Sequence, residues 1–195
     1  MIFYKEKPLA EYKGKSGKKF SLQKPNLNQV QELLEFTNRL IEEDTFLNLT
    51  GKPISFLSER RWLEDRLKEI ARGDNYFAWA FNEKRMVGSV SVIRAKTRSP
   101  HVGEIGLMVD KDFRGEGLGQ FLLEFILQVA KKMKMQIVIV EVFADNVAAL
   151  VLYKKFGFKE YGRLPKGLLR QGKYSDQIEL YKNISSSFAK ASEDK

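Results

Sequence analysis

The chain has no cysteine and a single histidine, His101, in 195 residues. Without thiols there is no disulfide and no thiolate nucleophile or metal ligand. One imidazole excludes a multi-histidine metal site and disfavours a Ser-His-Asp triad, so no metal is expected. Long apolar runs are also missing: nothing approaches the ~18 residues that a membrane span requires. Met1 to Lys19 contains no signal-peptide apolar core, so a cytoplasmic location is the expectation.

What the sequence does contain is ordinary globular material, 43% hydrophobic and 30% charged, enough for one domain with a real core. The formal net charge is +9. Part of it is local, because Lys5, Lys7, Lys13, Lys15, Lys18 and Lys19 face only Glu6 and Glu11 in the first stretch. Such a run is most often a solvated face. A basic domain also suits nucleic acid, anionic lipid or an anionic cofactor. No aromatics are interleaved on a basic face and no nucleic-acid motif appears, so a basic nucleic-acid-binding protein is the weakest of these readings.

Residues 1–15 are read as a basic N-terminal arm or an added edge segment, and 183–195 as a polar, disordered tail. Between them, residues 16–182 form one domain. Lys19–Gln23 reads as a short strand, and residues 28–44 as a helix with Val30, Leu33, Leu34, Thr37, Leu40 and Ile41 on one face. After a loop over 45–57, Ser58 is expected to cap a second helix with Trp62 or Leu63, Leu67 and Ile70 inward. Strands follow at 76–81 and 86–93 around Asn82-Glu83-Lys84, and a third at 103–109. Residues 117–133 give the clearest helix, with Leu118, Phe121, Leu122, Phe125, Ile126, Val129 and Met133 as its stripe. Residues 137–143 are apolar apart from Glu141, as in a central strand buried on both faces. A short helix at 146–155 and strands at 158–163 and 174–181 close the domain. The order β-αα-βββ-α-β-α-ββ predicts an α/β fold, a mixed sheet of about seven strands with helices on both faces.

The densest signal is Arg114-Gly115-Glu116-Gly117-Leu118-Gly119, between the 103–109 strand and the strong helix. Glycines permit positive φ and close backbone approach. First-turn amides lack intrahelical partners and the helix dipole is positive there, so such a terminus favours anions. A dinucleotide fingerprint requires Gly-x-Gly-x-x-Gly and a Walker loop Gly-Lys-Ser/Thr; the spacing here matches neither. A purely structural turn is the competing reading.

A second motif lies downstream: Asn146, Ala149, Tyr153, Gly157 and Phe158 fit Asn-x-x-Ala-x-x-x-Tyr-x-x-x-Gly-Phe, while Arg114, Gly117 and Gly119 fit Arg-x-x-Gly-x-Gly. In this order, with an apolar strand between, the pair resembles the GNAT superfamily of N-acetyltransferases over about residues 16–182. The resemblance implies acetyl-CoA as co-substrate and a sheet splayed between the strands at 103–109 and 137–143. It implies a pyrophosphate on the backbone of Arg114, Gly115, Glu116, Gly117, Leu118 and Gly119. The pantetheine arm would run beside Leu107, Met108 and Val109 and touch Asn146. It also implies direct attack of a primary amine on the thioester in a ternary complex. Small-molecule amines, amino acids and protein N-termini all remain open as acceptors, as does a homodimer. A CoA-binding module without turnover is the alternative.

Amine attack on a thioester needs a base, an acid and a shared cleft. Alternation places Glu104, Gly106 and Met108 on one strand face and Ile105, Leu107 and Val109 on the other. Relatives carry a base glutamate at the position of Glu104, which could equally be a strand-end carboxylate paired in solvent. Tyr153, by the motif, is the acid that protonates the leaving thiolate, or else a helix tyrosine packed on the sheet. Asn146 or Asp145 also suits the cap of the helix that follows. His101 is weighed as a proton relay and read as structural. Glu42, Glu43 and Asp44 either draw in a cationic amine or form a solvated helix end. Tyr174, Ser175 and Asp176 are weighed as acceptor contacts.

Overall fold

The computed structural model describes residues 7–46 and 51–185. The strands are β1 (Ala10–Lys13), β2 (Lys19–Gln23), β3 (Asn75–Asn82), β4 (Arg85–Arg94), β5 (Val102–Val109), β6 (Ile137–Phe143), β7 (Lys159–Arg170) and β8 (Lys173–Asn183). The helices are α1 (Val30–Glu43), α2 (Phe56–Arg72), α3 (Leu118–Lys132) and α4 (Val147–Lys155). One sheet runs β1-β2-β3-β4-β5-β6-β8-β7. Among the described residues it has eight strands, against about seven expected from the sequence. The additional one is β1, part of the basic arm, paired with β2 from Ala10–Leu22 to Lys13–Lys19. The first six residues of that arm, four residues of the 45–57 loop and residues 186–195 of the expected tail lie outside the described residues.

Two cores sandwich the sheet, as helices on both faces require. Leu118, Leu122, Leu123 and Ile126 of α3 pack with Ile105, Val138, Val140 and Leu180 on one face. Leu33, Phe36 and Leu40 of α1 and Leu63 of α2 pack with Trp79, Phe81 and Met86 on the other. Leu63 rather than Trp62 is the inward residue of α2; Trp62 is 41% exposed and meets Phe77 edge-on.

Three local expectations are corrected. Ser55, not Ser58, caps α2, because its side chain accepts from the Ser58 amide. The closing hairpin is longer than 158–163 and 174–181: pairing continues to Arg170–Lys173 around a two-residue turn in which Gln171 and Gly172 take φ of 51° and 71°. Such paired positive φ values match the twist of the strands and fix the register. β6 is fully buried on one face, and on the other only Phe143 is buried, with Ile137 and Ile139 half-covered. Val138, Val140 and Val142 are covered, whereas Glu141 is exposed, because α1 and α2 pack over β3 and β4 and stop short of β6.

The two central parallel strands pair only from Val102–Ile137 to Glu104–Ile139. Beyond Glu104 no register joins β5 to β6, although β5 stays paired with β4 up to Val109. The sheet therefore opens there into a wedge.

Candidate active site

The Asp110 amide donates to the Val87 carbonyl at 2.9 Å, which makes that antiparallel pair a hydrogen-bonded one. Alternation then turns the main-chain groups of Gly106 and Met108 toward β4 and those of Leu107 and Val109 toward the wedge. The Val109 carbonyl accepts instead from Arg114 Nε at 3.1 Å. An extended ligand beside β5 thus finds unpaired peptide groups where the strand partner is missing.

At the end of β5 the chain is locked before it reaches the glycines. Asp110 is 2% exposed and accepts from Arg39 Nε at 2.8 Å and from Arg85 at 2.9 Å. Burial works against its charge, but the Arg39 and Arg85 hydrogen bonds outweigh it and hold its pKa below the usual carboxylate value. Gly115 and Gly117 have φ of 80° and 86°, a region that costs other L-residues strain. Gly117 caps α3, and the first main-chain bond into the helix is Phe121 N–H to the Gly117 carbonyl at 3.1 Å. The amides of Leu118, Gly119 and Gln120 are left without intrahelical partners.

These groups border a cleft of ≈540 Å³ that includes Leu107, Met108, Val109, Arg114, Asn146 and Tyr153, with Lys15 and Lys155. Leu118 and Gly119 line it too, but Glu116 does not. The Glu116 carboxylate turns back to Ser16, accepting from its amide at 2.9 Å and its hydroxyl at 2.6 Å, and lies 3.4 Å from Lys18. Those Ser16 bonds hold the Glu116 pKa below the usual range. The Arg114 guanidinium forks onto the Glu43 carboxylate, with Nη2 to Oε2 at 2.9 Å. Glu43 is thereby paired rather than free for an amine, and the Asp44 carbonyl accepts from Arg170 at 3.1 Å.

A second cavity of ≈190 Å³ occupies the wedge and shares Phe46, Leu107, Asn146, Ala149 and Tyr153 with the first. Its far wall carries Glu104 and Glu141. Glu104, Gly106 and Met108 share the face toward α1, since Met108 packs against the α1–α2 core and Ile105 belongs to the opposite one. Glu141 is exposed overall, but partial desolvation of its carboxyl, then the charges of Glu104 and Glu179, push its pKa up. Tyr153 is 4% exposed, meets Phe158 edge-on at 5.2 Å, and its hydroxyl has no hydrogen-bond partner among the described residues. Burial pushes its pKa well above that of a free phenol, so it stays protonated. Asn146 Oδ1 accepts from the Ala149 amide at 3.2 Å, capping α4, while Asp145 accepts from Ser175 at 2.7 Å.

Other sequence candidates fall away from the two cavities. His101 lines neither; its carbonyl accepts from the Gln136 amide at 2.8 Å. Asp176 is spent on Arg163 and the Lys166 amide, and Tyr174 is exposed. Conversely, Glu141, Phe46 and Lys15 line the cavities without any motif that marks them as site residues. Glu141 was signalled as the one charge in an apolar central strand. Phe46 reaches the site through Phe143, 5.6 Å away, and Arg170, 4.1 Å over its ring, neither of which any local pattern announces.

With this geometry in view, the acetyltransferase (GNAT) family profile matches residues 35–158. The chain belongs to the GNAT acetyltransferase family. It is similar to an uncharacterized N-acetyltransferase of Methanocaldococcus jannaschii, 40% identical over 135 residues, 68% of this chain and 46% of that protein. It is also similar to the L-amino acid N-acetyltransferase AaaT of Escherichia coli, 29% identical over 93 residues, 47% of this chain and 57% of that protein. Across these and the other leading curated relatives the chain spans about half of their length. In fold it resembles a GNAT acetyltransferase of Streptococcus pneumoniae, with a TM-score of 0.76 at 24% identity over 84% of this chain and 99% of that one. A Salmonella typhimurium protein solved with its cofactor acetyl-CoA aligns with a TM-score of 0.74 at 15% identity, over 86% and 95%. Among the described residues, no helix is long and apolar enough to cross a membrane.

Proposed function

We propose that the protein transfers an acetyl group from acetyl-CoA to a primary amine, both held in one cleft. The observation that carries this is the continuity of the two cavities through Tyr153. One end offers the glycine-turn amides and cationic side chains; the other offers Glu104 and Glu141. The pyrophosphate lies on the backbone of residues 114–119, Asn146 and the main chain of Leu107 and Val109 hold the pantetheine arm, and the thioester reaches Tyr153. Dipoles and unpaired amides at a helix start suit that anion.

An amine at neutral pH is mostly protonated, so a proton must leave before the nitrogen attacks. Glu104 takes it, directly or through water, with Glu141 alongside. The nitrogen adds to the thioester carbonyl; collapse breaks the C–S bond, Tyr153 protonates the departing sulfur, and the second proton left on the nitrogen passes to the resulting phenolate and restores the phenol. Its raised pKa supports a donor that remains protonated until that step. The amine class spans small amines, amino acids and protein N-termini.

Initial rates with both substrates varied test the route. Intersecting reciprocal plots are expected from a ternary complex, whereas parallel lines would show an acyl-enzyme intermediate and reject it.

A further inference from the structure

The basic hairpin β1–β2 lies outside the two sequence motifs, yet it packs against the glycine turn rather than away from it. The Tyr12 hydroxyl donates to the Glu116 carbonyl at 3.0 Å, and the Lys15 amide donates to that same carbonyl at 3.3 Å. Ser16 holds the Glu116 carboxylate with both its amide and its hydroxyl. The fit is close on both sides. A Cβ on Gly14 would stand 2.7 Å from Glu116 Oε2, and one on Gly117 only 2.3 Å from the Tyr12 hydroxyl. Tyr12 itself is fixed by stacking on Phe121 at 4.8 Å, so its hydroxyl is a rigid strut between the hairpin and the start of α3.

The arrangement solves an electrostatic problem of the turn. A glutamate sits between the two glycines whose backbone is to face phosphate, where a free carboxylate would repel the ligand. Positive φ at Gly115 and Gly117 turns Glu116 away, and Ser16 and Lys18 receive it. The same hairpin leaves Lys15 on the border of the cleft, beside Arg114 and Gly115.

We propose that the β1–β2 hairpin is part of the donor site: Tyr12 and Ser16 are positioning residues that hold the glycine turn in its phosphate-accepting shape through Glu116, and Lys15 meets the donor's phosphates. This rests on the acetyl-CoA reading above. It explains why a basic arm contributes an edge strand here, and it assigns part of the local lysine excess to the cofactor instead of to solvent.

Calorimetric titration with CoA and, separately, with pantetheine, which lacks every phosphate, tests it. Tyr12→Phe keeps the stacking and loses the strut; Lys15→Gln keeps the stem and loses the charge. Each is expected to weaken CoA binding by about 3- to 10-fold and to leave pantetheine binding at the wild-type value, with Lys15→Arg restoring CoA affinity. Unchanged CoA affinity in Tyr12→Phe and Lys15→Gln, or equal weakening of CoA and pantetheine, would overturn the proposal, the second outcome marking the hairpin as general scaffolding. Wild-type protein that binds no CoA would instead bring down the acetyl-CoA reading, and this inference with it.

Discussion

Glu104 and Glu141 stand on adjacent strands at the apex of the wedge, where pairing ends, and the second has its pKa raised in part by the first. A base must be ionised to accept a proton. The acid limb of activity is expected to report Glu141, whose carboxyl beside the base is pushed up, with activity lost as pH falls through it. Glu104→Gln should lower kcat about 100-fold. It should also shift the acid limb of kcat/KM to lower pH, since Glu141 loses a like-charged neighbour; an unmoved limb would refute the coupling. Tyr153→Phe removes one oxygen from a buried ring and should reduce kcat about 100-fold with CoA affinity nearly unchanged, a split read by steady-state kinetics beside a binding titration. Glu104, Asn146 and Tyr153 are readable as candidates because each occupies a fixed place in a strand alternation or a motif, and the cavities bring them together. Glu141 was visible as an oddity but not as a site residue. Its place on the cavity wall depends on where pairing with β5 stops, and no spacing within β6 encodes that.

At the scale of elements, the glycine turn and α3 form one device, and its backbone tolerates little. Gly117→Asp adds a side chain at φ 86°, into the Tyr12 hydroxyl, and places a negative charge at the anion site. Loss of CoA binding by at least about tenfold is expected; unchanged affinity would move the phosphate elsewhere. The α1–α2 pair carries a different liability. Glu59 is 4% exposed and accepts from Thr37 Oγ1 at 2.8 Å. Burial pushes its pKa up, and the Thr37 bond only partly opposes this. With the folded pKa above the unfolded one, its contribution to stability is complete in acid and is lost as pH rises through the folded value. Glu59→Gln should thus melt higher than wild type at neutral pH, with the gap closing toward pH 4; a constant gap would contradict the assignment. Element order and the α3 stripe were readable from periodicity. The full length of β7 and β8 was not, because Pro165, Lys166 and Gly167 interrupt the alternation where the strand irregularity lies. The cap of α2 was misplaced because two serines three residues apart, Ser55 and Ser58, offer the same chemistry.

At the scale of the whole molecule, the candidate site is a defect in the sheet. Eight strands are joined, but β5 and β6 separate after three paired positions, and both cavities border the opening. Helix α3 closes one face over β5 and β6, while Glu104 and Glu141 stay exposed on the other, the side from which the proposed acceptor amine would approach. The splay was expected from the resemblance to a family rather than from any residue pattern. The hairpin's contact with Glu116 was invisible in sequence, since Tyr12 and Glu116 are 104 positions apart. The most direct test is release of free thiol from acetyl-CoA across a panel of small amines, amino acids and peptides with free N-termini, wild type beside Tyr153→Phe. Amine-dependent release by the wild type, strongly reduced in the variant, is predicted. Tight CoA binding with no thiol released for any amine or peptide would contradict the account and leave a CoA-binding module without turnover.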